Sequence, residues 1–149
     1  MNIELNGSEQ INTSPETLWA SVIDPVVLQR AIPGCTSMTE TGEGQYLMSL
    51  ELKVAAVGGS FEGAVSLSEM NPPHSCVINV SGSGSLGSGG GNAAVSITEG
   101  EDGTAQISYQ AQGEVSGLVA GVGQRILMGV AKHLARQFFA ALKKEFAAS

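Results

Sequence analysis

The chain has 149 residues, a net charge of −7, 42% hydrophobic residues and only 14% charged ones. That length and apolar content predict one domain spanning residues 1–149 with a sizeable core, and they exclude intrinsic disorder. The acidic balance excludes general nucleic-acid binding, which needs a net basic footprint, and no run of about eighteen apolar residues is present to span a bilayer.

The N-terminus, MNIELNGSEQ, has neither a basic n-region nor an apolar h-region, so a signal peptide is not expected and the chain is read as cytoplasmic. Residues 2–11 alternate, with Ile3, Leu5, Gly7 and Ile11 on one side and Asn2, Glu4, Asn6, Ser8 and Gln10 on the other, which predicts a half-buried strand. Thr13-Ser14-Pro15-Glu16 opens a short helix. Ser14 or Thr13 can cap it, Pro15 suits its first turn, and Glu16 favours its positive end. Leu18, Trp19, Val22 and Ile23 form its apolar side. Asp24-Pro25 starts a second short helix by the same chemistry, with Val27, Leu28 and Ala31 inward, and Ile32-Pro33-Gly34 ends it.

From there to about residue 116 the pattern has period two. Residues 35–41 read as a strand closed by Gly42-Glu43-Gly44. Tyr46, Met48, Leu50, Leu52 and Val54 make one inner face, and Phe61, Gly63, Val65 and Leu67 the next. After the turn Asn71-Pro72-Pro73-His74 come Cys76, Ile78 and Val80, then Ala93, Val95 and Ile97. Beyond the turn at residues 99–103, Ala105, Ile107, Tyr109, Ala111 and Val115 alternate with polar residues. About seven strands result, apolar on one face and polar on the other, as in an antiparallel sheet with one wet face.

The segment from Gly117 onward carries a long helix of about 28 residues, roughly 42 Å. At about 100° per residue, Gly123, Ile126, Leu127, Val130, Leu134, Phe138 and Ala141 share one face. Arg125, Lys132, Arg136 and Lys143 form a stripe opposite. Met128, Ala135, Phe139 and Phe146 make a further apolar strip beside that stripe, suited to a partner or a membrane surface. Charge is segregated: residues 1–118 hold Arg30 and Lys53 against 13 acids, a net of −11, whereas residues 119–149 hold five basic residues against Glu145, a net of +4. A stripe of this kind is either a solvated face or a contact for an acidic partner or anionic headgroups.

A one-faced sheet must bury its apolar side, and the C-terminal helix is the element long enough to cover it. The predicted fold is therefore α+β, a helix-grip arrangement. A curved antiparallel sheet wraps around the long C-terminal helix, and two short helices after the first strand close one end.

No catalytic constellation can be inferred. Gly82-Ser83-Gly84-Ser85-Leu86-Gly87 matches GxGxxG, but glycines and a strand follow it instead of the helix a dinucleotide site needs. Its glycines are expected to thin the sheet or leave space beneath the helix. His74 lies in a turn and His133 on a helix flank. Glu9 falls inward by strand parity, either as a functional buried carboxylate or as a strand-end residue that reaches solvent or pairs locally. Tyr109 is also inward, either a core tyrosine or a hydroxyl facing a ligand. Cys35 and Cys76 lack metal-ligand spacing and read as reduced core residues, with no metal site expected.

The string DPVVLQRAIPGC from Asp24 to Cys35 resembles the G-subunit family of carbon monoxide dehydrogenase. SPETLWASVIDP before it, FEGAVSLSEMNPP, GSGSLGSGG and the last strand and helix, from Gly103 on, agree in order. The resemblance implies a START-like helix-grip domain with a hydrophobic cavity. It further implies a non-catalytic accessory protein of a molybdenum hydroxylase, helping to couple that enzyme to the membrane and to handle a lipophilic electron acceptor, a quinone. Many family members continue into a membrane-anchoring tail, whereas this sequence stops at Ser149, so reversible surface contact is expected instead.

The function expected on these grounds is sequestration of a quinone or similar lipophile, with no intrinsic cofactor. The expected cavity wall is Met48, Leu50, Leu52, Phe61, Val65, Ile78, Val95, Ile107 and Tyr109 from the sheet. Gly123, Ile126, Leu127, Val130, Leu134 and Phe138 are its expected helix side, with Gly117, Ala120, Gly121 and Gly123 as a movable gate. Partner or membrane contact is expected at Arg125, Lys132, Arg136, Lys143, Met128 and Phe139. The alternative is an assembly or docking factor for such an enzyme with no cargo. An enzyme on the same fold would need converging polar groups, and Glu9 and Tyr109 are the candidates.

Overall fold

The computed structural model describes residues 1–54 and 57–146. Strand β1 (Asn2–Ile11) leads into helices α1 (Pro15–Val22) and α2 (Pro25–Ala31). Six strands follow: β2 (Cys35–Gly42), β3 (Gln45–Val54), β4 (Val57–Asn71), β5 (Ser75–Gly84), β6 (Gly87–Glu99) and β7 (Ala105–Ser116). After a 3-10 turn at Leu118–Val122 comes helix α3 (Gln124–Glu145). Strands β2 to β7 form a meander, and β1 pairs with β7, giving the order β1-β7-β6-β5-β4-β3-β2. Every pairing is antiparallel. This is the expected curved seven-stranded sheet with a C-terminal helix. The inward assignment of Val54 concerns a side chain outside the described residues.

The short helices start where capping chemistry places them. Ser14 Oγ accepts from the Thr17 amide at 3.2 Å, and Asp24 Oδ1 accepts from the Val26 amide at 2.9 Å. Each satisfies a donor that the helix geometry leaves unpaired. Tyr46 then ties the sheet to this corner by donating its hydroxyl to the Ile23 carbonyl at 2.6 Å.

Three apolar clusters line the inner face. The main one joins Ile11, Leu18, Trp19, Val95, Ile97, Ile107, Phe139 and Leu142, at the end closed by α1 and the last turns of α3. A second gathers Met38, Tyr46 and Met48 against Leu28 and Ile32, at the end of α2. A third holds Val119 and Leu127 against Ile3, Leu52, Leu86 and Val115 at the start of α3.

Helix α3 differs from expectation in two respects. It begins at Gln124, not near Gly117, because Gly117 (φ 92°) and Gly123 (φ 98°) both adopt left-handed backbone that an α-helix cannot continue through. Its buried face is also turned toward Phe139 and Leu142. Leu142 is 1% exposed and Phe139 9%, whereas Ile126, expected inward, is 48% exposed. The reason is tertiary. Phe139 stacks on Tyr109 of β7 with ring centroids 5.3 Å apart, and Phe138 meets Phe139 edge-on at 5.1 Å. Phe139 is thus core and not contact surface, and Phe146 lies partly buried against the same cluster. Met128 and Ala135 are likewise half-buried. Lys143 pairs with Glu9 of β1 at 2.7 Å and Glu145 with Arg30 of α2 at 2.8 Å, so both sides of this contact are fixed. These pairs are substantially exposed and orient the helix more than they stabilise it.

The turned face makes a clear expectation. Leu142→Ala should cost about 2–5 kcal/mol in urea unfolding, as for a fully buried leucine, and Ile126→Ala less than about 0.5 kcal/mol. Equal losses at the two positions would contradict this orientation of α3.

Candidate functional site

Helix α3 packs chiefly along β1, against α2 and on the turn that precedes it, and stands off from the central strands. Beneath it the inner face of the sheet carries a patch of glycines. The pleat that points Ile78 and Val80 inward also points Gly82 inward, and antiparallel register aligns Gly63, Gly82 and Gly89 across β4, β5 and β6. The adjacent row runs Val80, Gly91, Gly113 and Ile3. Bare backbone therefore forms the floor where three adjacent strands would otherwise carry side chains. Some of these glycines also allow close strand approach: a Cβ on Gly91 would collide with the Gln112 carbonyl. Gly82 is different, since the nearest atom to a Cβ there is the Glu62 carbonyl at 3.4 Å, an ordinary contact.

The result is a cavity of about 460 Å³ between the sheet and α3, with an almost wholly apolar wall. Of the residues expected to line it, Met48, Leu50, Leu52, Phe61, Ile78, Leu127, Val130 and Leu134 do so. Val65 lies instead beside the Met38, Tyr46 and Met48 cluster. Val95 and Ile107 belong to the main core with Phe139 and Leu142, and Tyr109 and Phe138 pack against that core. Gly123 is the residue before the first turn of α3, outside the wall, and Ile126 faces solvent. The wall also includes Ile3, Leu5, Val80, Ala93, Ala111, Val115, Val119 and Ala131. Ile3 and Leu5 alternate visibly in the sequence. Their place in the wall comes from the pairing of β1 with β7, which sets Ile3 opposite Gly113 and Leu5 opposite Ala111.

At one end of the cavity, residues 118–122 form a strap between the left-handed glycines 117 and 123. Val119 on the strap is buried and turns into the cavity wall, and its amide donates to the Leu86 carbonyl of the β5–β6 hairpin at 2.7 Å. Leu118 beside it is 76% exposed. The GxGxxG string lies in this same hairpin and is followed by strand β6, so it presents no helix N-terminus to a phosphate.

The polar candidates are drawn away from the cavity. Tyr109 lies over Gly7, where an added Cβ would sit 2.9 Å from the phenolic oxygen. Burial and then the nearby Glu9 raise the Tyr109 pKa. Glu9 is held by Lys143. Cys35 and Cys76 are free thiols, both pushed up by burial, with Cys35 donating to the Ser37 carbonyl. His74 and His133 are exposed. Arg125, Lys132 and Arg136 remain on the outer side of α3, and among the described residues none of the three joins an ion pair. No helix among the described residues is long and apolar enough to cross a membrane.

A model of the carbon monoxide dehydrogenase G-subunit family (CoxG) matches residues 7–147. The comparison with curated proteins finds no match. Among solved structures, a conserved protein from Geobacillus kaustophilus is 34% identical over 99% of this chain and 95% of its own, with a TM-score of 0.92. A START superfamily protein from Mycobacterium smegmatis is 13% identical, with 95% of each chain covered and a TM-score of 0.72. Protein CV1439 from Chromobacterium violaceum is 15% identical, again over 95% of each chain, with a TM-score of 0.71. The last two show the fold alone, which is START-like.

The chain has two tyrosines, and burial raises both above the ordinary phenol value of 10.0, with Glu40 and Asp24 adding to the shift at Tyr46. The neutral phenols are therefore favoured by folding. Their contribution is fully present below that value and is lost as pH rises through the folded values. Phenolate absorbance should titrate at higher pH in the native protein than in the urea-unfolded chain. Coincident curves would contradict the packing described for Tyr46 and Tyr109.

Proposed function

The chain belongs to the carbon monoxide dehydrogenase G-subunit family, CoxG, and from that premise we propose that it is a non-catalytic accessory protein that carries a quinone or similar lipophile in the cavity under α3. The observation that carries this reading is the glycine-floored apolar space of about 460 Å³, within the range of about 300–1,000 Å³ usual for small-molecule sites. Binding there would draw on apolar burial at about 25 cal/mol per Å², less the costs of ordering. The partner on this reading is a molybdenum hydroxylase of the carbon monoxide dehydrogenase type, and the protein helps couple it to the membrane. Contact with the bilayer on this reading is at its surface, for which the exposed Leu118 is suited.

Native mass spectrometry after detergent-free incubation with menaquinone or ubiquinone should show a one-to-one adduct. Gly82→Leu, which aims a side chain into the cavity, should remove the adduct while leaving stability equal or higher by about 0.5–2 kcal/mol. No adduct with the unaltered protein would overturn the proposal.

A second reading, docking factor without cargo, is favoured by Arg125, Lys132 and Arg136 on the outer side of α3, none of which joins an ion pair among the described residues. Reversing Arg125, Lys132 and Arg136 to glutamate should abolish capture of the partner enzyme and leave any quinone adduct intact. Lys143 is left out because it holds Glu9. Capture that survives the reversal would remove this face from the account.

A further inference from the structure

We infer that the cavity takes the hydrocarbon chain of its ligand and leaves the polar head group outside, so that it holds polyprenyl or acyl chains whatever head they carry. This rests on reading the cavity as a ligand site. The ground is the orientation of every polar residue near it. Glu62, Ser88, Asn92 and Gln112 border the cavity through their backbone, while their side chains are engaged on the opposite face of the sheet. There Ser49 Oγ donates to Glu62 Oε2 at 2.9 Å, Gln112 Nε2 donates to Asn92 Oδ1 at 3.5 Å, and Ser88 meets Ser116 at 3.1 Å. Ser81 and Glu114 share that outward parity and are exposed.

The floor offers nothing in their place. Its glycines lie within paired strands, so their amides and carbonyls belong to the ladders between β4, β5, β6 and β7. The inward groups that could have met a carbonyl or hydroxyl are Tyr109 and Glu9. The first is stacked on Phe139 over Gly7, and the second is bound to Lys143. A quinone head placed among Met48, Ile78, Ala93, Ala111 and Leu134 would lose its hydrogen bonds to water and gain none from the described side chains. A prenyl chain in the same place loses nothing and gains contacts. Sites that reject a wrong ligand strongly do so by leaving their own buried polar groups unpaired, and among the described residues this wall has none to leave. Discrimination between quinones then falls to whatever meets the exposed head.

The test compares ligands supplied as cyclodextrin complexes, free of other acyl lipid, and read by native mass spectrometry. The ligands are a menaquinone and a ubiquinone of equal tail length, the polyprenyl alcohol of that length, and tail-less menadione. The three tailed ligands should bind within about threefold of one another, and menadione should give no adduct. Menadione binding, or either quinone binding more than about tenfold tighter than the alcohol, would overturn the inference while leaving the cavity a ligand site. Absence of any adduct would overturn the cavity reading and the inference together. Gly82→Leu serves as the control for location: tailed ligands that still bind to it occupy another place, which also overturns both.

Discussion

The structure depends on one constraint: a single helix must cover the apolar face of a seven-stranded sheet. Ile78 and Val80 of β5 still point into the groove, but the inward residues beside them on β6 and β7 are glycine and alanine. Gly63, Gly82 and Gly89 form one row, Gly91 and Gly113 the next, and Ala93 faces Ala111 beside them. Such residues weaken a strand because they leave little to pack, and here the missing volume is gathered in one place. The cavity is the volume that those side chains do not fill.

The two ends of α3 are held by different means. Toward the C-terminus, Phe139 and Leu142 are wedged into the main core, with Lys143 and Glu145 tied to β1 and α2. Toward the N-terminus, Leu127 packs with Val119, the strap is bonded to the hairpin, and Gln124 donates to the Asn2 carbonyl at 2.9 Å. The second attachment rests on isolated hydrogen bonds and a small cluster beside the left-handed glycines 117 and 123, where Leu118 is left outside.

Strand alternation, the order of elements and the capping of α1 and α2 were legible in the sequence, because each is written in local periodicity or in adjacent residues. The rotation of α3 was not. Ile126 and Phe138 suit an apolar face as well as Phe139 and Leu142 do, and the choice is made by Tyr109 stacking from another strand. Tyr109 itself is set by register: pairing with Gly7 leaves its ring room to lie down over β1, away from the cavity. The glycine-rich hairpin was legible as a thinning of the sheet. That Gly63 and Gly113 join the same floor required the pairings of β4 with β5 and of β6 with β7.

An apolar cavity of this size is costly to keep open, since its lining forgoes dispersion contacts wherever nothing packs against it. The fold keeps it open through geometry. A helix of 22 residues is a rod of roughly 33 Å, and a rod supported at both ends cannot sink at its middle without bending or losing an end. The floor cannot rise, because its glycines are held in hydrogen-bonded ladders on either side. A hydrocarbon chain would restore the contacts that neither element can reach, and it would do so without displacing any packed side chain. The space is thus maintained by rigidity around it, and a ligand that filled it would add stability to a frame already formed.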